Sequence, residues 1–276
     1  MVTMSIRSAI GLLRSPAAWL PGLALGGIAA TFVITQYILG LFIAERLLVI
    51  LLVLMPFFMA GLLGMVKTGD TGIRSFISGG LSGYFRLLLP SLLILFAIIV
   101  TSFLLLVPLL ALGIGGQALV FMVLTCGLSI LFFTFFYDTA AVFEAKTVFE
   151  SIRRSVEFVI RTTHSCVVFY LITLVIGGAI ALVTLLFWTV SLYDRLVTIS
   201  GLTAEEMQTF TLEQLNALLG QDGIIITALF FFAGIALSFS LLYAFKAFFY
   251  RHYAGMDETQ RELQGEYDSK GRYYKY

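Results

Sequence analysis

Residues 88–137 read LLPSLLILFAIIVTSFLLLVPLLAL, then GIGG, then QALVFMVLTCGLSILFFTFFY. Two apolar runs, Leu88–Leu112 and Gln117–Tyr137, flank a glycine-rich link, and neither an ionisable acid or base nor a histidine interrupts them. A hydrocarbon core of roughly 30 Å needs about 20 apolar residues in a helix, so each run can cross a bilayer. Backbone groups in hydrocarbon must be bonded internally, and a barrel would show alternating strands of about ten residues instead. The stretch is therefore a helical transmembrane hairpin.

Four more apolar runs lie outward from it: Trp19–Phe42 and Leu47–Val66, joined by Ile43–Arg46, then Cys166–Val190 and Gly223–Phe249. The expected fold class is all-α, a polytopic membrane protein with six transmembrane helices. Composition agrees: 60% of the 276 residues are hydrophobic and 12% charged, against about 45–50% and 25% in soluble domains, and the mean hydropathy is +1.01. A water-soluble enzyme and a disordered chain are excluded. A net charge of +1 excludes a basic nucleic-acid binder. Arg7 and Arg14 precede the first run as in a signal peptide, but its 24 residues exceed the 7–15 of a signal core, so it reads as a retained helix.

The few charges divide unevenly. The N-terminus, the 67–87 and 138–165 links and the chain from Lys246 onward hold 15 of the 17 lysines and arginines; Arg46 and Arg195 are on the other side. Acids divide as 10 and 6, leaving net charges of +5 and −4. The positive-inside rule assigns the basic side, with both termini, to the cytoplasm. With a prokaryotic plasma membrane as the setting, residues 1–250 form one transmembrane domain and 251–276 a cytoplasmic tail. The aromatic, basic stretch 270–276 is expected to be mobile near the membrane.

Three basic stretches lead into spans: Ser5–Arg14, Ser82–Arg86 and Arg154–Arg161. Their last arginines, Arg14, Arg86 and Arg161, are 72 and 75 residues apart. This spacing predicts three repeats of an interfacial amphipathic helix followed by a transmembrane hairpin; three hairpins that simply each need a basic anchor are the plainer alternative. The best-formed of the helices is expected over Thr139–Thr162. Ala145, Val148, Phe149, Ile152, Val156, Val159 and Ile160 share one face, with Asp138 as N-cap. Its other face pairs Lys146–Glu150, Glu150–Arg154, Arg153–Glu157 and Glu157–Arg161 at four-residue spacing. Glycines 79, 80 and 83 should weaken the middle copy, and Pro16 and Pro90 should end the first two. On the far side, 191–222 reads as an acidic loop of two short helices, with capping boxes at Thr203–Glu206 and Thr211–Gln214 and a helix end at Gly220.

Reactive chemistry is sparse. The span interiors are expected to carry no Asp, Glu, Lys, Arg or His, Lys246 being counted with the cytoplasmic side at the end of the last run, which argues against a carrier built on an intramembrane carboxylate. Their polar groups are mostly hydroxyls. Gln36, Thr101 and Thr173 are the candidates for lining a polar cavity. Gly22-x-x-x-Gly26 fits a helix-packing motif too common in such chains to establish dimerisation. No catalytic or metal-binding pattern occurs, no cofactor is implied, and Cys126 and Cys166 form no disulfide framework.

The sequence Tyr137–Phe143 (YDTAAVF) followed by Phe149–Val159 (FESIRRSVEFV), leading into the fifth span, resembles uncharacterised prokaryotic six-span proteins related to the membrane domain of glycerophosphoryl diester phosphodiesterases. The likeness is specific over about 35 residues and extends loosely through the hairpin layout. In those phosphodiesterases a separate soluble barrel performs catalysis, so the resemblance implies a membrane module without catalytic residues.

The leading expectation is a non-enzymatic integral membrane protein acting through lipids or membrane partners. Arg14, Arg86 and Arg161 would contact lipid headgroups or, more plainly, snorkel as topology anchors. Membrane lipids are the expected partners, with a membrane protein or a second copy next. The alternatives are a permease for an uncharged or amphipathic solute, using Gln36, Thr101 and Thr173, and a lipid-active enzyme uniting Asp138 with His164 or Glu144. For Asp138, Glu144, Glu150 and Glu157, capping and ion pairing are the simpler roles.

Overall fold

The computed structural model describes residues 2–113, 115–201, 211–264, 266–267 and 273–274. It is all-α apart from a two-residue antiparallel pairing of Glu266–Tyr267 with Tyr273–Tyr274. Helix α1 spans Val2–Leu12, and a 310 turn at Pro16–Trp19 leads into α2, Leu20–Leu39. Helices α3 (Leu41–Leu52) and α4 (Met55–Thr68) make the second crossing. Helix α5 (Ile73–Ala111) rises to α6 (Gly116–Thr134); α7 (Tyr137–Phe143) and α8 (Val148–Arg161) follow. Helices α9 (Thr163–Ser191) and α10 (Tyr193–Ser200) precede the final α11 (Leu212–Gln264). Six segments are long and apolar enough to span a membrane.

Several boundaries differ from the sequence expectation. The first outer turn lies at Gly40, with φ +83°, before the expected Ile43–Arg46 link. Glycine adopts that conformation without a Cβ clash. Arg46 therefore sits within α3, its guanidinium 3.3 Å from the Phe42 ring centroid and donating to the Phe42 carbonyl. The middle interfacial helix is not separate: Ser82–Arg86 belongs to α5, which passes through Pro90 and Pro108 unbroken. Neighbouring helices can support a proline-containing span, and Pro90 is buried.

The expected helix Thr139–Thr162 is two helices. Ala145, at φ +52°, lies in the break, and Thr147 starts α8 through a reciprocal capping box with Glu150. Of the expected pairs, Arg153–Glu157 closes at 2.8 Å. Asp138 does not cap a helix N-terminus but lies fully buried in the first turn of α7. On the far side, Thr211 and Gln214 exchange backbone-to-side-chain bonds as expected, and Gly220 interrupts α11 at φ +63°. The Thr203–Glu206 box lies outside the described residues. Helix α11 continues past Tyr250, so the expected tail begins as helix.

Packing is concentrated at the basic end. Phe76, Phe136, Phe158, Phe169, Phe245, Phe249 and Tyr250 belong to one core there. Beyond Ile94 no α5 residue is buried; α6 buries only Thr134, and α9 only Cys166 and Phe169. Much of the remaining surface of these helices is apolar, with Phe96, Leu104, Phe121, Leu174 and Phe187 among its exposed side chains, as segments long and apolar enough to cross a bilayer present. The Gly22-x-x-x-Gly26 motif is used within the chain, against α11. A Cβ at Gly22 would fall 2.2 Å from the Ala236 carbonyl oxygen, and one at Gly26 2.6 Å from that of Phe232.

Candidate functional site

At the basic end, α7 is only seven residues long, yet five of them are buried. Its surroundings hold it by charge. Asp138 Oδ2 accepts from Lys246 Nζ at 2.7 Å and from the Tyr243 hydroxyl at 2.9 Å, both on α11. Lys246 Nζ also lies 4.1 Å from the Phe135 ring centroid. Just beyond α7, Glu144 accepts two bonds from Arg154 Nε, at 2.9 and 3.0 Å, and one from the Tyr250 hydroxyl. Lys67, at the end of α4, donates to the Val142 carbonyl at 2.7 Å, where the terminal carbonyls of α7 face outward. Arg251 donates to the Val66 carbonyl near the end of α4. Ser155 joins the α6–α7 corner to α8 by accepting from Phe136 N–H and donating to the Phe133 carbonyl.

These bonds correct two sequence readings. Lys246, counted with the cytoplasmic charges at the end of the Gly223–Phe249 run, is a buried cation within the last apolar helix. Arg154 holds Glu144, ten residues away, so the acidic partner comes from across the helix break. A local four-residue rule could not show either, because both depend on the return of α11 to α7. Glu150 and Glu157 do remain at the surface. Backbone and side-chain hydrogen bonds from Thr147 lower the Glu150 pKa, and the Arg153 hydrogen bond lowers that of Glu157.

Beside α7, helices α4 and α5 form a polar crevice of about 400 Å³. Its shape follows from glycine: a Cβ on Gly64 would lie 2.8 Å from Gly79 Cα, so the two backbones meet. Lys67 comes from α4. Arg74, Ser78, Ser82 and Arg86 come from α5 at successive four-residue steps, on one ridge of the helix. Asp70 is at the connecting turn, its Oδ1 accepting from Gly72 N–H.

Among the expected lipid contacts, Arg86 lines this crevice; Arg14 and Arg161 are exposed and do not. Gln36, Thr101 and Thr173 are on α2, α5 and α9 and line none of the three crevices described, of about 400, 480 and 510 Å³. Thr101 donates to the Ala97 carbonyl, while the buried Thr173 hydroxyl has no partner among the described residues. The 510 Å³ crevice is apolar and lies between α2, α9 and α11, beside Trp188. Asp138 is buried and ion-paired, whereas His164 is exposed, so the two do not meet in a cleft. No group of three His, Cys, Asp or Glu suited to a metal occurs among the described residues. The sequence reading missed Arg74 and Lys67; the Arg-x3-Ser-x3-Ser-x3-Arg spacing was visible, but only the glycine contact makes it a wall.

Fold and site together define a multi-pass membrane protein with six helical segments able to span a bilayer, in which the buried charged side chains Asp138, Arg154 and Lys246 gather at one end of the bundle. Over residues 1–253 the chain matches the family described as a domain of unknown function (DUF7847), and it belongs to that family. No curated protein and no solved structure matches the chain. Nothing in these matches links it to the membrane domain of glycerophosphoryl diester phosphodiesterases.

Proposed function

We propose that the protein is a non-enzymatic component of the plasma membrane, with both termini cytoplasmic, that acts by organising anionic lipids or a membrane partner at its basic end. The observation behind this reading is that Arg14 and Arg86 are exposed at the span entrances without an ion-pair or hydrogen-bonded side-chain partner among the described residues. Buried acids elsewhere at this end already have cations, and a cation near an anionic membrane surface gains roughly 1 kcal/mol. Arg161 is exposed at the corresponding place before α9 and already has an interaction within the chain. The threefold spacing of these arginines would present them around one bundle.

The test is lipid retention in nanodiscs of mixed phosphatidylcholine and phosphatidylglycerol, read by native mass spectrometry. The protein should retain phosphatidylglycerol above its bulk share, and the R14Q/R86Q/R161Q variant should lose that excess while keeping its melting temperature. Equal retention by both proteins overturns the reading. A cysteine introduced in the 265–276 tail, in a C126S/C166S background, should react with an impermeant maleimide only from the cytoplasmic side.

A further inference from the structure

Resting on the lipid reading above, we propose that the crevice between α4 and α5 is a binding site for a phosphate group. Lys67, Arg74 and Arg86 give it three cations against the single carboxylate of Asp70, a local charge of +2. That charge suits a phosphodiester or a phosphomonoester. Arg74 and Arg86 have no ion-pair or hydrogen-bonded partner among the described residues, so their guanidinium groups are available to oxyanions, for which planar paired donors are suited.

The walls divide the work of recognition. Lys67 Nζ is held by the Val142 carbonyl, which fixes one charge at the crevice and leaves its other protons to point elsewhere. On the opposite wall, Ser82 donates its proton to the Ser78 carbonyl, so its hydroxyl is occupied as a donor. The Ser78 hydroxyl has no bond among the described residues and can donate to an oxyanion. The glycine contact beneath keeps the two walls close without a bulky side chain between them. The volume of about 400 Å³ lies within the range of small-molecule sites. The phosphate can belong to an anionic lipid headgroup or be inorganic phosphate; the chemistry at the wall is the same.

The test uses the full chain in neutral detergent and the variant R74Q/S78A, which leaves Arg14, Arg86 and Arg161 intact. Binding of short-chain dihexanoyl phosphatidic acid and of inorganic phosphate is measured by isothermal titration calorimetry. The site predicts saturable binding of at least one probe, weakened at least tenfold in the variant at unchanged melting temperature. Preference for phosphatidic acid identifies the lipid headgroup as the source; equal binding of inorganic phosphate identifies free phosphate. If neither probe binds, or R74Q/S78A binds as tightly as the parent, the crevice assignment is overturned. Repeating the nanodisc comparison with R14Q/R161Q, which leaves the crevice residues Lys67, Arg74 and Arg86 in place, tests the lipid reading apart from the crevice, so failure of one is distinguishable from failure of the other.

Discussion

Lys246 and Asp138 lie 108 residues apart in the chain, yet their side chains form a 2.7 Å ion pair with 6% and 0% of their surfaces exposed. The pair joins α11 to α7 and places charge where the apolar sequence suggested packing alone.

Removing one partner leaves a buried charge unopposed, so D138N or K246M should each lower stability by about 3–5 kcal/mol. The D138N/K246M double variant should lose less than the two added together, with Asn retaining an acceptor for Tyr243. Thermal unfolding in detergent measures this; strictly additive losses would show that the two groups are not coupled.

Ser155 bridges Phe136 N–H and the Phe133 carbonyl at the α6–α7 corner. S155A leaves a buried backbone donor unmatched and should cost about 1–3 kcal/mol. Ser151 is equally buried, but among the described residues its hydroxyl donates to the Val148 carbonyl, one turn back, and to no other group. S151A should therefore be the milder change by the same melting assay, and the reverse order would count against the corner's role.

The close approach of α2 to α11 depends on Gly22, where an added Cβ would also lie 2.1 Å from Ser240 Oγ. G22A should cost more than the 1–3 kcal/mol typical of overpacking, because backbone must move. Gly27 has open space at the same test position, so G27A should be neutral or stabilising by about 0.5–1 kcal/mol. Light scattering should show the same oligomeric state for G22A and parent; dissociation caused by G22A would place the motif between chains instead.

Helix α8 should weaken in acid. Thr147 bonds lower the Glu150 pKa and Arg153 lowers that of Glu157. Groups lowered on folding contribute fully above their unfolded value of about 4.3, and that contribution is lost as pH falls through their folded values. Hydrogen exchange over 148–161, corrected for intrinsic rates, should show protection falling between pH 5.5 and pH 3. E150Q should reduce the dependence; an unchanged profile in both proteins would remove these carboxylates as its cause.

The sequence by itself determined the all-helical class, the six crossings and the uneven charge, because membrane helices require long apolar runs. It also showed local caps, since Thr211–Gln214 contacts are three residues apart. It did not show that α7 would separate from α8, or that Pro90 would lie within α5. Those outcomes depend on tertiary support for a broken or interrupted backbone.

The candidate site was legible only in part. Arg86 stood out as a basic residue before an apolar run, but its relation to Lys67 and Arg74 required the Gly64–Gly79 approach. Lys246 counted only as one of the cytoplasmic-side charges; the fold instead surrounds it with Asp138, Tyr243 and Phe135. Hydrophobic periodicity and charge count report what each segment can do locally. Which charges meet is decided by the return path of distant helices, whose energetic reward exists only after the chain has packed.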